Sequence, residues 1–124
     1  MILLDANYIL RFLLKDNLEM YKTSKECISN NNCLIPNEVL AEVVFVLLKV
    51  YKVKRDDISN SLISFLNYDN IILNDKNNII KSLNIFQTKN LDFVDCILCA
   101  KSEQYKIKTF DKKLNKCIKN MLVS

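Results

Sequence analysis

The chain has no glycine, no histidine and no tryptophan, and its one proline is Pro36. Without glycine there is no phosphate-cradling P-loop and no G-x-G-x-x-G dinucleotide turn. Without histidine there is no Ser-His-Asp or Cys-His nucleophile system and no histidine-ligated zinc or iron site. Long apolar runs are missing too: none approaches the roughly 18 residues that a membrane-spanning helix needs. The N-terminus does not have the pattern of a secretory signal, because Asp5 interrupts it and Arg11 and Lys15 stand where an apolar stretch should be. The expected setting is therefore cytoplasmic, with no membrane attachment. Five cysteines is an odd number without framework-like spacing, which argues against a disulfide scaffold. The missing glycines leave left-handed turn positions to other residues. Abundant asparagine is the expected substitute, and Asn30-Asn31-Asn32 has the form of a helix stop.

What is present fits one domain spanning 1–124, with half of its 124 residues apolar. The net charge of +4 permits a polyanionic partner without requiring one. Short apolar runs alternate with longer helical patterns. Ile2–Leu4, Cys33–Ile35, Ile71–Leu73 and Ile107–Phe110 are the expected strands, and Met121–Val123 is a possible edge strand. Helices are expected over Asn7–Leu14, Leu18–Ser29, Asn37–Tyr51, Asp57–Asn67, Asp75–Thr88, Asp92–Tyr105 and Asp111–Lys119. Asn37 is placed to cap the third of these, whose "EVLAEVVFVLLKVY" is apolar on most faces and so belongs in a core. Strands of about four residues between helices of about a dozen imply an α/β fold: a parallel sheet of four or five short strands with helices on both faces.

Catalysis is left to carboxylate, lysine, serine or thiol chemistry. Most of the 14 acidic residues lie among polar neighbours and need no explanation beyond solvation. Asp5 is different, since it follows a strand. Glu38 and Glu42 sit in the most apolar helix, Asp92 and Asp95 open a helix in "LDFVDCILCA", and Asp111 follows a strand in "IKTFDKK". Each has a plain structural explanation. Asp5, Asp92 and Asp111 can be helix N-caps, Asp92 with Asp95 has capping-box spacing, and Glu38, Glu42 and Lys49 can share one polar stripe. Together, however, they fall at or near the carboxyl ends of strands, where open parallel sheets bind their ligands. Carboxylates gathered there repel one another unless a cation neutralises them, and oxygen-only donors select Mg²⁺ or Mn²⁺ over zinc. The natural chemistry of such a site is hydrolysis of a phosphodiester.

"LLDANYILRFLL", "NEVLAEVVFVL", "LDFVDCILCA" and "KTFDKKL", in that order, resemble the four acidic motifs of the PIN-domain nucleases, and the order, spacing and length resemble the VapC-type toxins of toxin–antitoxin pairs. The resemblance implies a three-layer α/β/α domain, Mg²⁺ or Mn²⁺, and endoribonuclease activity on tRNA or other structured RNA. It also implies a homodimer and a cognate VapB-like antitoxin. Position by position, Asp5, Glu42, Asp95 and Asp111 match the family's catalytic and metal-binding acids. Asp92 matches an additional metal-binding acid, and Asn7 and Thr109 match supporting residues. Ala6 departs from the pattern, standing where the family commonly has a hydroxyl side chain.

Arg11, Lys112 and Lys113 lie near the acids and can meet an RNA backbone, or can be ordinary solvated cations. Cys96 and Cys99 form C-x-x-C within an apolar helix, and the expected role is that of structural thiols. Two other functions remain open. An aspartyl-phosphate phosphotransferase or receiver would use Asp5 as nucleophile but lacks the companion acid, position 7 being Asn7. A catalytically inactive protein- or RNA-binding module would keep the fold alone.

Overall fold

The computed structural model describes residues 1–123. Its sheet consists of β1 (Ile2–Leu3), β2 (Cys33–Leu34) and β3 (Ile71–Ile72), all parallel, in the order β1-β2-β3. Ile2 is in register with Cys33, and Cys33 with Ile71. Backbone bonds extend the ladder by one residue at its carboxyl edge: Leu4 N–H donates to Leu34 O (3.1 Å) and Ile35 N–H to Ile72 O (2.9 Å). The expected strands at 2–4, 33–35 and 71–73 thus occupy their predicted places. Cys33, Ile35 and Ile71 have no solvent exposure, as befits strands of a parallel sheet covered by helices. Each such apolar side chain contributes about 1.5–3 kcal/mol by burial.

The helices are α1 (Ala6–Leu14), α2 (Leu18–Asn30), α3 (Asn37–Lys49), α4 (Arg55–Leu66), α5 (Lys76–Thr88), α6 (Phe93–Lys101) and α7 (Lys112–Val123). As its composition requires, α3 is the inner helix. It packs against α1, α4 and α6 and buries Leu40, Val43, Val44 and Leu47. No described helix is long and apolar enough to cross a membrane.

Four expectations need correction. Residues 107–110 form no strand. In this run of alternating lysine and larger residues only Ile107 and Thr109 are partly buried, and Phe110 is fully exposed, so no apolar face holds the segment against a sheet. Met121–Val123 is not an edge strand but the last turn of α7, whose partly buried Ile118 and Met121 pack on the core at helical spacing. The sheet therefore has three strands rather than four or five. Asparagine takes none of the left-handed positions. Lys15, Lys52 and Asp75 do, at φ 55°, 57° and 54°, while Asn31 ends α2 in an extended conformation. Finally, Asn37 does not cap α3. Pro36 occupies the cap position without a side-chain bond, and Asn37 Oδ1 is buried without a hydrogen-bond partner.

One cation fixes the approach to α6. The Nη1 of Arg55, at the start of α4, donates to the carbonyls of Lys89 (2.8 Å), Leu91 (2.8 Å) and Phe86 (3.2 Å). Its guanidinium lies 4.2 Å from the centroid of the Phe86 ring. Arg55 thereby closes the carboxyl end of α5 and holds the short link that delivers Asp92 and Asp95. We expect Arg55→Ala to lower stability by about 2–3 kcal/mol, the loss of charged hydrogen bonds at carbonyls left without a donor. Arg55→Lys, lacking the planar fork, should recover less than half of it. Urea denaturation of the two variants measures both.

Candidate functional site

Asp5 directly follows the last ladder bond of β1. It is the N-cap of α1, with Oδ1 accepting from Tyr8 N–H at 2.9 Å. Two residues on, exposed Asn7 lines a hollow with Tyr8, Arg11 and Met20. Arg11 is committed locally: its Nη1 donates to both carboxylate oxygens of Asp16 at 2.7 Å, and its Nη2 donates to the Tyr51 hydroxyl at 2.8 Å. Glu42 is exposed one turn inside α3, the helix that lies against both α1 and α6.

Asp92 occupies the N-cap position of α6 with no side-chain capping bond, so the capping box that its spacing with Asp95 suggests is not formed. Its carboxylate is exposed and uncommitted. Asp95, in the first turn, is half-buried. Asp92 and Asp95 also line a hollow of about 260 Å³ between α3 and α6 with Phe45 and Val94.

Asp111 caps α7, with Oδ1 accepting from Leu114 N–H at 2.9 Å. Thr109 holds the turn before it. Its Oγ1 accepts from Asp111 N–H (3.0 Å) and its carbonyl accepts from Asn115 Nδ2 (3.0 Å). Lys112 and Lys113 follow, both exposed and, among the described residues, outside any ion pair.

Electrostatics tie three of these acids together. The carboxyl of Asp95 is pushed above the ordinary carboxylate range, first by burial and then by the negative charges of Asp111 and Asp92. Residues 16 to 19 positions apart in sequence therefore meet in one field. Among the described residues, Asp5, Glu42, Asp92, Asp95 and Asp111 form no ion pair with lysine or arginine. No three His, Cys, Asp or Glu side chains among the described residues close on a single point as a metal cage. The donor chemistry nevertheless suits a hard divalent cation: carboxylate oxygens only, no competing ammonium, and one acid that resists ionising beside two others. Because Asp5 and Asp111 each use only Oδ1 as a cap, capping and ligation do not compete.

The cysteines differ from expectation. Cys96 is a fully buried thiol, pushed up to about 12 by burial above all. Cys99 is not a thiol: it is bonded to Cys117 of α7, with Cα atoms 6.2 Å apart. Both project from inner helix faces, which brings them within bridging distance although 18 residues separate them. C-x-x-C is thus not a redox pair, and the partner of Cys99 has no short-range signal in sequence. Arg55 is the other contributor that sequence reasoning passed over. A cation at the first position of a helix opposes the helix dipole, and that misfit is the readable clue to its other employment.

A protein-family model described as PIN domain matches residues 2–119. No curated protein and no solved structure matches the chain significantly. For Asp95, a raised folded-state pKa means that the folded chain holds a proton more tightly than the unfolded one. The resulting stability penalty is complete above the folded pKa and vanishes below the ordinary value of 3.8. Asp95→Asn should therefore raise the Tm of metal-free protein at pH 7, and the gain should shrink towards zero as the buffer is acidified to about pH 3.5. Thermal melts of both proteins across that range check the sign.

Proposed function

The chain belongs to the PIN-domain family, a nuclease-type fold, and from that premise we propose that it is a divalent-metal-dependent endoribonuclease acting as the toxin of a toxin–antitoxin pair. The observation that carries the proposal is the shared field of Asp92, Asp95 and Asp111, with no basic side chain paired to any of them. Such a cluster is costly to maintain in a stable fold unless a cation occupies it during function.

Asp5, Glu42, Asp95 and Asp111 would hold Mg²⁺ or Mn²⁺, with Asp92 assisting. A bound divalent ion supplies Lewis-acid polarisation of a phosphoryl oxygen and lowers the pKa of water. The chain's own residues supply position. Asp5 and Asp111 are fixed by their capping bonds, each leaving Oδ2 for a ligand. Thr109 orients Asp111, and Asn7 stands beside Asp5 where it can donate to a phosphate or an ordered water. Lys112 and Lys113, free of ion pairs and next to Asp111, give the RNA backbone a place to lie without neutralising the acids. The guanidinium of Arg11 bonds Asp16 and serves the α1–α3 side of the fold through Tyr51, so a contact from it to RNA would compete with those bonds.

Ala6 is buried in the first turn of α1, so a hydroxyl there would point into packing. The α1 start keeps its capping geometry without one. Three-layer packing, a homodimer, a VapB-like antitoxin and a cytoplasmic setting complete this reading. The first three rest on membership in the family, and the cytoplasmic setting on the sequence pattern.

The test is cleavage of a total tRNA pool by purified protein with Mg²⁺ or Mn²⁺, compared with Asp5→Asn. We expect the variant to lose roughly 100-fold or more of the activity. Its unfolding transition should stay cooperative, since asparagine also caps helices. Equal cleavage by the two proteins would refute the assignment. If the wild type neither cleaves nor gains Tm with Mn²⁺, the chain is a binding module instead.

A further inference from the structure

The Cys99–Cys117 bond joins the two helices that bring Asp92, Asp95 and Asp111 together. It is placed to matter. Helix α7 sends only Leu114 and Cys117 fully into the core, and its main packing partner is α6. The segment 106–110 that leads into it makes no strand pairing. This cross-link is the one covalent hold on α7, and hence on Asp111, beside the packing of Leu114, Ile118 and Met121 on the core.

The bond is also approachable from one side. Cys99 is fully buried, whereas Cys117 retains 5% exposure and lines two adjoining hollows of about 330 and 170 Å³. Lys81, Lys89, Lys113 and Lys116 line these hollows, and no acidic residue does. Lys81 is paired with Glu103, while the other three make no ion pair. Such a setting draws in small anions and favours the thiolate form of an incoming thiol beside Cys117. A cross-link in a thiol-rich compartment is more often exchangeable than inert.

We propose that Cys99–Cys117 is an exchangeable disulfide, opened at Cys117 by a low-molecular-weight anionic thiol of the glutathione kind, and that its state governs how firmly Asp111 is held beside Asp95. The thiolate attacks Sγ of Cys117. The sulfur–sulfur bond breaks, and Cys99 leaves as a thiolate that takes up the proton the attacking thiol gave to solvent, once the broken bond lets α6 and α7 part. A second thiolate attacks the outer sulfur of the mixed disulfide, releasing the small disulfide and the Cys117 thiolate, which is then protonated. In sum, two small thiols are oxidised to one disulfide and the protein disulfide is reduced to two thiols; oxidised glutathione drives the reverse. The exchange stands on the cysteines, the lysines and the cytoplasmic setting proposed above, and not on the nuclease site. Its consequence for Asp111 rests on the nuclease reading.

The experiment equilibrates the full chain in buffers of reduced and oxidised glutathione. Free thiols are counted by alkylation and mass spectrometry, and each form is titrated with Mn²⁺ by thermal shift. We expect two additional alkylated cysteines to appear in one transition without urea, with any trapped glutathione adduct on Cys117. Cys117→Ser should abolish the transition. We expect the reduced form to bind Mn²⁺ roughly tenfold more weakly. A bond that opens only in denaturant, or an adduct on Cys99, overturns the exchange mechanism. Opening with unchanged Mn²⁺ affinity overturns the link to Asp111. If neither form binds Mn²⁺, the nuclease reading falls and takes that link with it, while the thiol count still decides the exchange.

Discussion

The structure turns on a repulsion. Asp95 lies half-buried at the start of α6 and shares a field with Asp92 and Asp111, so its carboxyl resists ionising. Folding alone gains nothing from that arrangement. Asp92 and Asp111 stay exposed, but Asp95 is half-buried beside them, and among the described residues no ammonium is paired with any of the three. The fold spends its arginines elsewhere: Arg11 goes to Asp16 and Tyr51, and Arg55 to the carbonyls that end α5. A half-buried acid beside two like charges, with no counter-charge paired to it, fits the proposed cation site.

The surrounding elements serve to hold that repulsion in place. Three short parallel strands set Asp5 at the carboxyl edge. The apolar α3 fills the space between α1 and α6 and carries Glu42. Arg55 clamps the link into α6, and the Cys99–Cys117 bond ties α7 to it. These are independent anchors of different chemistry. Ladder bonds, burial, charged hydrogen bonds and a covalent bond each restrain a different acid. Positions that repel each other need this, because side-chain entropy and electrostatics both favour their dispersal.

Sequence reasoning reached the acids through local signals. Asp5 ends an apolar run, Asp111 opens a helix beside Thr109, and "LDFVDCILCA" puts two acids on an apolar helix. These are short-range patterns, and short-range patterns are what one chain displays. The same logic failed where tertiary context decides. The run at 107–110 has strand-forming residues but no apolar face to bury, and it stays irregular. Lys15, Lys52 and Asp75, all exposed, took left-handed positions that propensity assigns to asparagine; Lys15 ends α1 and Asp75 starts α5, where the chain must change direction. The pairing of Cys99 with Cys117, the reach of Arg55 across to α5 and α6, and the orphaned Oδ1 of Asn37 all depend on contacts between distant elements, which no spacing rule encodes.

The claim at the centre is that these carboxylates form one cation-seeking unit. The most direct measurement is the titration of Asp95 by carboxyl-carbon NMR, in metal-free protein and again with saturating Mg²⁺. The account predicts that Asp95 titrates above the ordinary carboxylate range without metal and that Mg²⁺ carries it below that range. An Asp95 that titrates in the ordinary range and does not respond to Mg²⁺ would contradict the account.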